Sequence, residues 1–219
     1  MRIIAFFSGG ASALVYLAKH DPNFGKKYKV VCAFTDKKHA EGILFVNESG
    51  LPLECLDAPD YFPAHNLKPG TPEARTQYFR EASAIIKPFN ADLLILCGFM
   101  RIVTEPLLSE YPNRILNVHP ADLTVLDESG RRKYVGADPV TLALAAGEKS
   151  TRSTVHLVTA EVDGGPIVTV SNPLEVEPGI GPKTHQAKMK WACDGPAYAK
   201  ALEMIADGAI SLDNLAKNP

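Results

Sequence analysis

The sequence predicts an α/β protein built on an open, doubly wound, Rossmann-like sheet that is mostly parallel and carries an antiparallel extension at its C-terminal end. Near-continuous apolar runs of strand length recur at 2–7 (RIIAFF), 29–34 (KVVCAF), 92–97 (DLLILC) and 115–118 (ILNV). Strands that are apolar throughout suit a parallel sheet covered on both faces. Helix-like segments separate these runs, and alternation of strand and helix is the pattern of a doubly wound sheet. Beyond residue 138 apolar and polar residues alternate instead, which fits strands added antiparallel.

The first strand, 2–7, runs into SGGAS (8–12) and a helix over 11–20, a strand-to-helix turn made of glycines and serine. Such a turn exposes backbone N–H groups at a helix N-terminus, where an anion binds well, and Ser12 is also a candidate cap for that helix. The second strand, 29–34, precedes a helix over 38–49. A longer helix covers 72–87, with Thr71 as N-cap and Pro72 in its first turn. The strands at 92–97 and 115–118 follow, the latter ending on Asn117-Val118-His119-Pro120. Residues 124–139 are polar and glycine-containing and read as a surface loop. The runs 153–162 and 166–176 flank Asp163-Gly164-Gly165, a turn signal, and read as an antiparallel pair. The stretch 183–208 reads as helix interrupted at Gly195-Pro196.

Composition excludes several function classes. The 219 residues are 46% hydrophobic and 22% charged, with a formal net charge of −2, which lacks the basic footprint of a nucleic-acid binder. The apolar run at the N-terminus is about six residues, too short for a signal segment or a membrane span, so a cytoplasmic protein with small-molecule partners is expected. The cysteines, at 32, 55, 97 and 193, form no CxxC pair. No metal centre or disulfide framework is expected from them. With no repeat or linker in view, one domain over 1–219 is expected, as a monomer or homodimer.

Ligands of an open α/β sheet sit outside the carboxyl ends of its strands, so the endings of the apolar runs direct the search for a site. Asn117 and His119 are alternate residues of one strand and share a face. One is a hydrogen-bond donor for a developing oxyanion, the other an acid or base near neutral pH; a backbone-bonded histidine beside a turn asparagine is the structural alternative. His156, inside TVHLV, reads first as a strand-interior histidine. Asp163 either caps its own turn or supports His119, according to a distance that spacing does not give.

Taken together, IIAFFSGGASAL, ADLLILCGFMRIV, ILNVHPADL and STVHLVTAEVDGGPI resemble the formyltransferases that use 10-formyltetrahydrofolate, over most of the chain. The resemblance implies the formyltransferase fold, with 1–120 as a nucleotide-binding half and 121–219 carrying a folate-site loop and a terminal helix. It implies formyl transfer from 10-formyltetrahydrofolate, as co-substrate and without metal, to the amine of glycinamide ribonucleotide in purine synthesis. Asn117, protonated His119 and Asp163 would be catalytic. Folate would lie against Met100, Arg101, Ile102, Val103, Glu161, Val162 and Asn117, with Arg75 near the site. Ala11, Ser12 and Ala13 would take the phosphate, and Asp194 would face the acceptor.

Ala11 and Ala13 stand where the family carries glycine and asparagine, Asp194 where it carries glutamate, and LDESGRR is an insertion of about eight residues. These departures keep other readings open. One is an amino sugar nucleotide as acceptor, its anion met by Arg131, Arg132 and Lys133. The others are formyltetrahydrofolate hydrolysis and a folate- or nucleotide-binding protein without turnover.

Overall fold

The computed structural model describes residues 1–217; the last two positions of the expected 1–219 unit lie outside the described residues. Its main sheet has the strand order β3-β2-β1-β4-β5-β7-β8. The strands are β1 (Arg2–Phe7), β2 (Lys29–Thr35), β3 (Leu53–Cys55), β4 (Leu93–Leu96), β5 (Ile115–His119), β7 (Thr154–Leu157) and β8 (Ile167–Val170). Pairing is parallel from β3 across to β5 and antiparallel from β5 through β7 to β8. The mostly parallel sheet and its antiparallel extension are therefore as expected. The chain leaves β1 toward β2 on one side and later returns to β4 on the other, so the strand order reverses between β1 and β4.

Both faces of the sheet are covered, which is why these strands are apolar throughout. Ile3, Ala5 and Phe7 enter one buried cluster with Leu14 and Leu17 of α1 (Ser12–His20) and Tyr198 and Leu202 of α8 (Gly195–Ala206). Ile4 and Phe6 enter the other, with Tyr61 and Phe62 of α3 (Ala58–Ala64) and Tyr78, Phe79 and Ile86 of α4 (Pro72–Ile86). The Thr71 hydroxyl accepts the Ala74 N–H at 3.3 Å with Pro72 in the first turn, so α4 starts as its sequence dictates.

Elsewhere the structure corrects the sequence reading. Helix α1 begins at Ser12, but its N-cap is Ala11, in the left-handed region at φ 51°, with no side-chain cap. The helix expected over 38–49 is confined to α2 (Gly42–Glu48). Its first residue presses on the loop: the Gly42 N–H donates to the Gly9 carbonyl at 3.0 Å, and a Cβ there would lie 2.8 Å from that of Ala11. The run 153–162 pairs only over β7. The run 166–176 is divided into β8 and β9 (Leu174–Glu175), which makes a separate ladder with β6 (Ser150–Thr151).

The stretch 183–208 forms α7 (Pro182–Met189), a π turn over Lys190–Asp194, and α8. The interruption expected at Gly195-Pro196 is that π turn, which absorbs the proline's missing donor. Gly195 is required where α8 crosses α1, because a Cβ would lie 2.2 Å from Tyr16 Cγ. The short elements β3, α3, α5 (Leu107–Glu110), α6 (Pro139–Ala145) and α9 (Leu212–Lys217) were not read from the sequence. Among the described residues no helix is long and apolar enough to cross a membrane.

Candidate active site

A cleft of about 640 Å³ opens at the carboxyl ends of β1, β4 and β5, where the reversal of strand order leaves a crevice. Its size is that of small-molecule sites. Ser8–Ala13 form one wall and Gly98–Val103 the other, with Asn117–Pro120 at the back and Glu161–Asp163 at the rim. The walls are tied together, since Ser8 Oγ accepts the Met100 N–H at 2.9 Å and the Ser8 N–H donates to the Gly98 carbonyl at 3.1 Å.

The expected trio converges here. Asn117 and His119 lie opposite His156 and Thr154 in the β5–β7 ladder. His119, 4% exposed, places Nε2 2.7 Å from the Tyr134 carbonyl. A carbonyl only accepts, so Nε2 carries the hydrogen and Nδ1 is left facing Asp163 Oδ2 at 3.5 Å. Burial pushes the His119 pKa below its ordinary 6.5, although Asp163 and the Tyr134 carbonyl pull upward. The imidazole at rest above that pKa is therefore neutral.

Asp163 is itself nearly buried. Burial opposes its charge, yet the carboxyl is held below its usual range, with the Gly136 N–H among the groups that lower it. Its Oδ2 accepts the Gly136 N–H at 2.9 Å. Its backbone is left-handed, φ 54°, inside a turn closed by the Gly164 N–H on the Glu161 carbonyl at 3.2 Å. Gly165 is obligatory there, because a Cβ would lie 1.9 Å from the Leu157 carbonyl oxygen.

His156 contributes more than strand packing. Its Nδ1–H donates to the Leu157 carbonyl at 2.8 Å, which leaves Nε2 to accept from Asn117 Nδ2 at 3.2 Å. That bond fixes the amide so that the second hydrogen of Nδ2 remains for a ligand. The β5–β7 register sets His156 opposite Asn117, a pairing between strands far apart in sequence that no local signal gives. The Tyr134 carbonyl and Gly136 N–H had none, since backbone groups carry no residue signature. Asp194, on the π turn, accepts from Ser153 Oγ at 2.5 Å, and burial pushes its pKa up to about 6 against that bond and the Lys190 charge.

The remaining expected residues divide. Ala11, Ser12, Ala13, Asp194, Met100, Ile102, Val103, Glu161 and Val162 all line the cleft. Met100 and Val162 are unusually open for large apolar residues, 71% and 48% exposed. Arg101 lines it too, but its guanidinium turns inward to Asp36 Oδ2 at 2.6 Å, over the Phe62 and Tyr78 rings. Arg75, half-buried on α4, is not on the cleft wall.

The cations of the insertion are likewise absent from that wall. Arg131 pairs with Asp127, Lys133 lies 3.9 Å from Glu148, and Arg132 bonds the carbonyls of Asp163 and Gly165. Each is thus engaged by the protein's own groups, and 124–139 is more than a surface loop because it supplies the Tyr134 and Gly136 contacts. Among the described residues no group of three or more His, Cys, Asp or Glu side chains is placed to hold a metal ion.

Comparison with known proteins gives the family. The family model described as formyl transferase matches residues 1–190. Phosphoribosylglycinamide formyltransferase of Escherichia coli (strain K12) is 30% identical over 168 residues, 77% of this chain and 70% of that protein. The trifunctional purine biosynthetic protein adenosine-3 of Gallus gallus is 28% identical over 220 residues, 99% of this chain but only 20% of that protein's length. The crystal structure of glycinamide ribonucleotide transformylase 1 from Symbiobacterium toebii superposes with a TM-score of 0.78 at 26% identity, covering 95% of this chain and 88% of that one. With a family model spanning the strands that build the cleft, and Asn117, His119 and Asp163 meeting inside it, the chain is an enzyme of the formyl transferase family.

Proposed function

We propose that the protein transfers the formyl group of 10-formyltetrahydrofolate to a primary amine, with glycinamide ribonucleotide as acceptor, and so serves purine synthesis. The observation that carries this reading is the meeting of an oriented amide N–H, a neutral imidazole nitrogen and a carboxylate at the end of β5. Two features of the cleft support this reading. Met100, Ile102 and Val162 offer exposed apolar surface for a flat heteroaromatic ring. The backbone at Ala11–Ala13, with Lys37 and Lys190 on the same cleft lining, suits a phosphate.

In the proposed reaction the acceptor amine attacks the formyl carbon, a C–N bond forms, and the formyl oxygen gains negative charge. Asn117 donates the free hydrogen of Nδ2 to that oxygen; one such donor is worth roughly 3–4 kcal/mol. The amine loses a proton to the Nδ1–Asp163 pair, and the imidazolium so formed adds a second stabilising charge. Breaking the bond to the folate nitrogen returns the proton to the departing nitrogen. The C–N bond formed replaces the one broken, and no covalent intermediate with the protein is needed.

The test is release of tetrahydrofolate from 10-formyltetrahydrofolate, followed spectrophotometrically with and without glycinamide ribonucleotide. Nucleotide-dependent release is the expected result. Release without it would replace the reading by hydrolysis. Release dependent on a different amine would replace the acceptor alone, and folate binding without turnover would replace catalysis by binding.

A further inference from the structure

Residues 126–132 are the insertion that the family resemblance leaves over, and the contacts of the loop that they open run inward. It begins as a small hairpin, bridged at Leu126 and Arg132, in which Asp127 Oδ1 accepts the N–H groups of Ser129 and Arg131 at 2.9 Å each. It then delivers three groups to the site: the Tyr134 carbonyl to His119, the Gly136 N–H to Asp163, and the Arg132 side chain to the backbone of the Asp163 turn.

Arg132 Nη1 donates to the Asp163 carbonyl and Nη2 to the Gly165 carbonyl, the latter at 2.9 Å. The two acceptors flank a left-handed aspartate and a pair of glycines. Such a turn keeps its shape only where its surroundings over-determine it. A planar fork that reaches two carbonyls at once does this, and an ammonium does not.

We infer that Arg132 is a positioning residue: its guanidinium clamps the turn that presents the Asp163 carboxylate to His119, so that the inserted loop is an internal strap of the reacting pair. The inference rests on the reading of His119 and Asp163 as that pair. It reassigns Arg132 from substrate recognition to alignment. A strap predicts loss of kcat, whereas an anion-recognition residue predicts loss of acceptor affinity.

The groups facing His119 are Asp163 from the turn, His156 from β7, the Tyr134 carbonyl and Arg132 from the strap. Arg132 and His156 disfavour the imidazolium, while Asp163 and Tyr134 favour it. Removal of Arg132 therefore also raises the His119 pKa.

The experiment compares Arg132→Met and Arg132→Lys with Arg131→Met, whose arginine is solvent-exposed and bonded only within the hairpin. Expected for Arg132→Met is a fall in kcat of about 30-fold or more with KM for both substrates within about threefold, and partial recovery in Arg132→Lys. The acid limb of the rate profile moves to higher pH, and Arg131→Met matches wild type. Imidazole NMR titration of His119 and hydrogen exchange at the Gly164 amide give a readout that needs no turnover. Arg132→Met should raise the His119 pKa and speed exchange at Gly164.

Wild-type protein without formyl transfer would overturn the proposed function, and these two measurements would still decide on the clamp. A variant with unchanged His119 titration and Gly164 exchange overturns the inference. So does one that loses acceptor KM with kcat intact, or one that loses thermal stability alone.

Discussion

His119 has one ring nitrogen committed to the Tyr134 carbonyl and the other facing Asp163 at 3.5 Å, longer than a good hydrogen bond. Two acceptors facing each other at that separation are set to receive a proton. The His119→Asn variant keeps a polar side chain of similar reach but has no titratable nitrogen, so kcat should fall by about 10²- to 10⁴-fold while folate affinity, read by fluorescence titration, stays within a few-fold. Because burial lowers the His119 pKa, the base form persists to lower pH than for an ordinary histidine. Activity should thus decline only as pH falls below about 6.5; a profile of kcat/KM that already declines above that value would contradict the neutral resting state. Alternation along a strand puts Asn117 and His119 on one face, whereas joining Asp163 to them rests on the family resemblance, since Asp-Gly-Gly by itself reads as a turn. Their partners on the strap were not legible, being main-chain groups brought close only by the fold.

At the scale of elements, α8 packs on one face of the sheet and sends one side chain to its backbone where the cleft opens. The fully buried Tyr198 hydroxyl takes the Leu96 N–H at 3.1 Å and lies 2.9 and 3.0 Å from the carbonyls of Leu96 and Leu116. It therefore occupies ladder positions between β4 and β5 at the point where the strands part. Tyr198→Phe leaves those backbone groups unsatisfied and should cost about 1–3 kcal/mol in urea denaturation; a loss within about 0.5 kcal/mol would mean that water replaces the hydroxyl. Gly165→Ala should act on the turn instead, since its Cβ meets the Leu157 carbonyl. Turnover should drop by about tenfold or more with far-UV circular dichroism unchanged, and a variant of wild-type activity would show that the turn relaxes without cost. The long strands and α4 were legible from continuous apolar runs and a cap, whereas β3 and α5, of 3 and 4 residues, are shorter than any window in which periodicity shows.

The whole molecule sets an apolar sheet between two helix layers, and His119, His156, Asp163 and Asp194 gather where that sheet ends. Their titrations oppose one another. His119 and the fully buried His185 have pKa values lowered by burial. The unfolded chain therefore takes up their protons first, and stability from this source is present above about pH 6.5 and lost as pH falls through the lowered values. Asp163, whose pKa is also lowered, contributes stability that is lost only in stronger acid. Asp194 runs the other way. Burial raises its pKa from 3.8 to about 6, so its charge weakens the fold at pH 7, and that penalty is relieved as the folded protein takes up the proton. Asp194 and the histidines thus act in opposite directions as pH falls below about 6.5. Asp194→Asn keeps an acceptor for Ser153 and removes the charge. It should be more stable than wild type by about 1–2 kcal/mol at pH 7.5, allowing for solvent near the cleft, and should lose most of that advantage by about pH 4.5. Urea midpoints of the two proteins at both pH values decide the matter: curves that stay parallel would show that Asp194 does not titrate with folding, and that the acid response belongs to the histidines alone.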